Sequence, residues 1–251
     1  MPEVVTLRLE TGIAHLRLNR PESANALDRT VAAALLQAAH EIAQSPSVGA
    51  VVLTGAGARF CGGGDLAAML GADDKLDYVH QLASELDEAF RALSALEVPI
   101  VAGVHGAVAG AGLALMLSCD VVVAAKGTTF VPAYPAVGLT PDCGLSWLLS
   151  RAIGQQRALG FLLKNARVGT DEALSWGMVS EVASSDELQG RCDELSRALA
   201  SGPAWALGQT KRLVRGSYEQ TREQTGRLEA DVVTAAAALD EAAQRMAKFL
   251  R

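Results

Sequence analysis

The sequence predicts an α/β fold, a spiral of parallel β-layers with helices outside, ending in an all-helical tail. Three observations carry that expectation. Apolar runs of strand length at residues 48–53, 98–104 and 121–125 alternate with segments of helical periodicity. Two of those runs lead into turns made almost wholly of small residues, Phe60-Cys61-Gly62-Gly63-Gly64-Asp65-Leu66 and Gly106-Ala107-Val108-Ala109-Gly110-Ala111-Gly112. From residue 188 to residue 251 only helical patterns occur, broken at Gly202-Pro203 and near Gly216.

Taken in order, residues 4–9 and 13–18 alternate apolar and polar side chains about Thr11-Gly12, the pattern of a β-hairpin. Residues 27–42 repeat apolar positions at helical spacing, with Asp28 near the start and Ser45-Pro46 beyond the end. Residues 48–53 then form a buried strand. After the first small-residue turn, 76–96 is a long amphipathic helix and 98–104 another apolar strand. Residues 110–117 form a short helix beneath the second turn and lead to the strand at 121–125. A further helix runs through Trp147-Leu148-Leu149. Strand–strand–helix units of this kind wind into a spiral of parallel layers. The tail is alanine-rich at 235–238, which favours helix. No low-complexity linker sets it apart, so it is expected to dock. The expected division is a core at 1–187 and a helical subdomain at 188–251.

With 251 residues, half of them hydrophobic, the chain can bury one substantial core. A formal charge of -6 leaves no surplus of cations for a nucleic-acid face. No apolar run reaches spanning length and no basic-then-apolar leader is seen, so the expectation is a soluble cytoplasmic protein that does not enter the membrane. Cys61, Cys119, Cys143 and Cys192 lie far apart without ligand spacing. They read as free thiols in a reducing compartment, with no metal and no disulfide framework.

The two small-residue turns carry the chemistry. Side chains this small admit a ligand close to the backbone, where free N–H groups can donate to an oxyanion. Two such donors on one carbonyl oxygen make an oxyanion hole, usually the largest electrostatic contribution in enolate or acyl chemistry. A dinucleotide reading of Gly110-Ala111-Gly112 fails, because Leu115 stands where the third glycine belongs and no acidic residue ends a following strand. A phosphate loop fails too, since neither turn is followed by Gly-Lys-Ser/Thr.

Further residues give these turns a context. Leu18-Asn19-Arg20-Pro21, Asn25-Ala26-Leu27, Val52-Leu53-Thr54-Gly55 and the first turn resemble the N-terminal half of the crotonase (enoyl-CoA hydratase/isomerase) superfamily. The second turn running to Cys119-Asp120, then Val137-Gly138-Leu139-Thr140-Pro141-Asp142 and Ala173-Leu174-Ser175-Trp176-Gly177-Met178-Val179, continue the resemblance across essentially the whole chain. It implies a crotonase-type spiral of ββα repeats with a C-terminal helical subdomain that takes part in oligomer contacts, in a trimer or a dimer of trimers. It also implies a coenzyme A thioester substrate, with no metal and no other cofactor.

Residue by residue, the resemblance makes the backbone N–H groups of Gly64 and Ala111 the oxyanion donors. The two glutamates that hold water in enoyl-CoA hydratases fall on Ala114 and Tyr134 here, so the usual paired carboxylates are missing. Asp142 remains. Dienoyl-CoA and epoxyphenylacetyl-CoA isomerases carry an aspartate there that shuttles a proton, and the surrounding sequence looks closest to the latter group. An aspartate before a helix also serves as a cap, which is the plainer reading. Glu22, Ser23, Ala24, Ala26, Gly62, Asp65 and Leu66 match the coenzyme A cradle. A lysine sometimes found after the motif aspartate is Ala67, which leaves Arg20, Arg59, Lys248 or Arg251 for the phosphates. Tyr134 has two readings, a residue that orients substrate or donates a hydrogen bond and, more plainly, a buried tyrosine using its hydroxyl structurally. Cys143 has no histidine in its segment to activate it and reads as packing. His15 and His105 sit in strand contexts and read as structural, His40 and His80 lie on helices, and only His80 is near the acyl region. The expected function is an acyl-CoA double-bond isomerase. The rivals are a hydratase, thioester hydrolysis, and a non-catalytic coenzyme A-binding protein.

Overall fold

The computed structural model describes residues 3–249. Strands β1 (Val5–Glu10) and β2 (Ile13–Leu18) pair antiparallel across Thr11 and Gly12, both at positive φ, as the alternation predicts. Helix α1 (Arg29–Ala43) starts where the Asp28 carboxylate accepts the Val31 N–H. It buries Val31, Leu35, Ala38, Ala39 and Ile42 on one face. Strand β3 (Ala50–Gly55) pairs parallel with β2. A short α2 (Leu66–Gly71) and the long α3 (Lys75–Ser94) follow, α3 turning Leu82, Leu86, Phe90 and Leu93 inward. Each of those four contributes about 1.5–3 kcal/mol on burial, so the α1–α3 layer is a main source of stability.

Next come β4 (Ile100–Val104), β5 (Ala107–Ala109), α4 (Ala111–Leu117), β6 (Val121–Ala125) and β7 (Thr129–Val131). After a 3-10 turn at Tyr134–Val137 lie α5 (Leu145–Ile153), α6 (Gln155–Leu163), β8 (Val168–Gly169), α7 (Thr170–Trp176) and β9 (Glu181–Ala183). The main sheet runs β1-β2-β3-β4-β6-β9 and is parallel beyond the first hairpin. A second sheet, β5-β7-β8, stacks the short strands that follow β4 and β6. This is the expected spiral. The short strands escaped sequence reading because two or three residues cannot display a period.

Alternate residues of the main sheet face two different cores. Leu16, Val51, Leu53, Ala102 and Ala124 pack with α1 and α3. Ile13, Val52, Val101 and Val123 pack with Leu188 and Cys192 of α8 (Leu188–Ala200). Helix α8, which the sequence groups with the tail, therefore lies flat on the sheet. Beyond it α9 (Ala204–Gly216) is tied down where Lys211 and Arg215 meet Asp120, both at 2.8 Å. The Arg151 guanidinium, lying over the rings of Trp147 and Tyr218, fastens the turn after α9 to α5. Helices α10 (Arg222–Ala237) and α11 (Asp240–Phe249) complete the described chain. None of the described helices is long and apolar enough to cross a membrane.

Candidate active site

Because β3 and β4 are parallel neighbours, their following turns leave the same edge of the sheet and meet. They zip together through the backbone. Phe60 donates to the His105 carbonyl at 2.9 Å, Cys61 to Ala107 at 3.3 Å, and Ala109 back to Cys61 at 3.0 Å. Gly63 must be glycine: its φ is +96°, and a Cβ there would stand 2.9 Å from the Ala109 carbonyl oxygen.

On the other side of the first turn, Leu27 donates to the Gly63 carbonyl at 2.8 Å and accepts from Asp65 at 2.9 Å. That parallel bridge leaves the N–H of Gly64 directed away from Leu27. Ala111 is the first residue of α4, where no intrahelical acceptor exists. Among the described residues neither the Gly64 nor the Ala111 N–H has a hydrogen-bond partner. Both residues line a cavity of about 420 Å³ together with Asp142, Tyr134, His80 and an apolar set that includes Leu66, Met69, Val79 and Leu139.

Asp142 reaches this cavity from the opposite wall. Ala133 (φ 67°) and Gly138 (φ 71°) bracket the 3-10 turn, and Asn165 accepts the Ala133 N–H at 2.9 Å. Cys143 (φ 50°) and Gly144 (φ 71°) then separate Asp142 from α5, whose N-cap is Gly144. The Asp142 carboxylate is thus not the cap of that helix, and the plainer reading does not hold. Its Oδ1 instead accepts the Tyr134 hydroxyl at 2.6 Å, a length typical of a charge-assisted bond. Burial, and next the charge of Asp142, push the Tyr134 phenol well above its ordinary range, so it stays protonated and donates. Burial and the same neighbour push the Cys143 thiol up, which disfavours the nucleophilic thiolate form.

The coenzyme A candidates divide. Gly62 and Leu66 line the cavity, whereas Glu22, Ser23, Ala24, Ala26 and Asp65 do not. Ala24 sits beside the cavity, accepting the Gly62 N–H at 2.8 Å. Asp65 caps α2 through the Ala68 N–H at 3.1 Å and pairs with Arg20 at 3.0 Å. Arg20 also meets Asp28 at 3.0 Å and donates to the Ala26 carbonyl at 2.7 Å. That guanidinium is thus held by two carboxylates and a carbonyl of the chain itself. Arg59 and Lys248 are exposed, and Arg251 lies outside the described residues. Ala114 is wholly buried in α4 and does not line the cavity. His105 Nε2 lies 2.9 Å from the Gly57 carbonyl oxygen, a structural contact.

Two scaffold residues were not singled out from the sequence. Asn25 is 2% exposed, accepts the Arg20 N–H, and donates to the carbonyls of Ala56, Arg59 and Phe60 at 2.8–3.1 Å. Its place in Asn25-Ala26-Leu27 was the available signal. Asn165 had none, being joined to the site only through the fold.

The fold is that of the crotonase enzymes. It matches the crystal structure of an enoyl-CoA hydratase from Polaromonas sp. JS666 with a TM-score of 0.92 at 30% identity, covering 98% of this chain and 96% of that one. The chain belongs to the enoyl-CoA hydratase/isomerase family, whose sequence model matches residues 8–251. It is 33% identical over 235 residues to the 1,2-epoxyphenylacetyl-CoA isomerase of Escherichia coli K12, covering 92% of this chain and 89% of the relative. It is also 33% identical over 240 residues to a 4-chlorobenzoyl coenzyme A dehalogenase from Arthrobacter sp, covering 95% of this chain and 87% of the relative. The protein is an acyl-CoA enzyme of this superfamily.

Proposed function

We propose that the protein is an enoyl-CoA double-bond isomerase with Asp142 as its single proton carrier. The observation that supports this most is the cavity lining: two free backbone N–H groups and one carboxylate, with no second carboxylate among the described lining residues. In the proposed reaction Asp142 removes a proton from C2 of a 3-enoyl thioester. The electron pair delocalises onto the thioester oxygen, held by the N–H groups of Gly64 and Ala111. The carboxylic acid then returns the proton to C4 and the double bond settles at C2–C3. Nothing is added and nothing is lost, so the scheme needs no metal or redox cofactor. Hydration would need a held water, and a hydrophobic cavity whose only carboxylate among the described residues already binds Tyr134 supports that less well. For the assembly we propose a homotrimer or dimer of trimers built through the C-terminal helices, because α10 buries no residue of its own in one chain.

The test is incubation with a trans-3-enoyl-CoA and separation of products by mass and chromatography. An isobaric 2-enoyl product, reduced by about 10²–10⁴-fold in Asp142→Asn, supports the proposal. A product heavier by one water moves the function to a hydratase. The dehalogenase relatives favour a second reading, in which the same carboxylate attacks the chlorine-bearing carbon, chloride leaves, and water hydrolyses the resulting ester to the hydroxyl product and the free carboxylate. Chloride release from 4-chlorobenzoyl-CoA, with no isomerisation of the enoyl substrate, would establish it.

A further inference from the structure

Tyr134 stands eight residues before Asp142 and donates its hydroxyl to Oδ1 of that carboxylate at 2.6 Å. The phenol is only 7% exposed, and its backbone is fixed from both sides. Asn165 holds the Ala133 N–H at 2.9 Å, and the Tyr134 carbonyl accepts the Leu139 N–H at 3.0 Å. Among the described residues Tyr134 is the only N–H or O–H donor to the Asp142 side chain, with the Cys143 thiol beside it, and both Tyr134 and Asp142 line the cavity that holds the two free N–H groups. A carboxylate normally presents two equivalent oxygens and turns about its last bond. Here one oxygen is occupied and the rotation is braked.

We infer that Tyr134 is a positioning residue for proton transfer: by holding Oδ1 it leaves Oδ2 alone to take the proton from C2 and return it to C4. This rests on the isomerase reading above. With one oxygen serving both legs, removal and return occur on the same face of the dienolate. The proton is also carried between two carbons of one bound substrate inside a cavity lined largely by apolar side chains, so it is returned before it exchanges. Correct aim of a reacting group is worth large factors in rate, and a misplacement of about 1 Å can cost roughly 10²-fold.

The experiment uses a trans-3-enoyl-CoA carrying two deuteriums at C2, turned over in ordinary water. Retention of both deuteriums in the 2-enoyl product reports transfer from C2 to C4, and loss of one reports exchange with solvent. Wild-type protein is expected to retain both in most turnovers. Tyr134→Phe is expected to lower kcat by about 10–100-fold, to leave KM within about threefold, and to lose the transferred deuterium in at least about half of turnovers. Tyr134→Met, which also lacks the donor, is read in the same way should the Phe variant not fold. A merely structural tyrosine would lower the melting temperature and leave the label where it was. If Asp142→Asn abolishes isomerisation while Tyr134→Phe keeps wild-type kcat and label retention, the inference falls and the isomerase reading stands. If the wild type forms no isomer at all, both fall together.

Discussion

On one wall of the cavity Gly64 and Ala111 are positioned by backbone hydrogen bonds between two turns; on the other, Asp142 is positioned by the hydroxyl of a single side chain. The first wall is built from groups every residue carries, so Ala111 offers its N–H whatever its side chain. What it cannot accept is volume between the turns. The second wall is built around left-handed backbone at Ala133, Gly138, Cys143 and Gly144, with residues 135–141 largely facing solvent. It accepts volume but depends on the identity of two side chains.

The largest effect expected from breaking this contrast is at Gly106, where the second turn begins. A Cβ there would lie 2.0 Å from the Ala58 carbonyl oxygen at a φ of +65°. Gly106→Ala should cost more than about 4 kcal/mol, seen as loss of soluble folded protein. Gly138→Ala on the other wall also meets a left-handed φ, but nothing lies within 4 Å of the added atom. It should cost only about 1–2 kcal/mol and leave the protein folded. Equal losses in thermal denaturation would show that the walls do not differ in this way.

Asn25 comes next. It joins the turn at 20–26 to the turn at 56–60, with all its polar atoms satisfied. Asn25→Ala leaves buried carbonyl oxygens without donors, at about 1–3 kcal/mol each where water cannot enter. A fall in melting temperature of about 10 °C is expected. A fall of less than about 2 °C would mean that water replaces the amide there. Asp65→Asn is a finer probe. Asparagine caps a helix about as well as aspartate, so the change isolates the charge opposite Arg20. With Asp28 still present beside the guanidinium, a cost of about 1 kcal/mol is expected, or about 2–4 °C.

The same division explains what could be read from the sequence. The hairpin, α1, α3 and the long strands announce themselves by period, and the first wall by its run of small residues. Asp142 stood out only through resemblance, because spacing alone fits a helix cap equally well. Its contact with Tyr134 was not legible, since a reach across eight residues depends on several left-handed positions, two of them at Ala133 and Cys143 rather than glycine. The docking of α8 on the sheet was hidden for a related reason. Its buried residues, Leu188, Cys192 and Ser196, mark an inward face but not what that face meets.

The smallest expected effect concerns the cysteines, two of which sit one on each wall. All four are buried and free. Burial raises Cys61, Cys119 and Cys192 to about 12 and pushes Cys143 up as well, so at pH 8 almost none is thiolate. Titration of native protein with a thiol reagent should therefore find no fast-reacting group, and denatured protein should show four. Slow labelling then separates the walls, because reaction requires local opening. Cys61 is wholly buried in the backbone zipper, whereas Cys143 is 5% exposed on a wall held by side chains. Peptide mapping should find Cys143 modified before Cys61. The reverse order would mean that the small-residue turns open more readily than the Tyr134–Asp142 pair, and the wall described as fixed would be the mobile one.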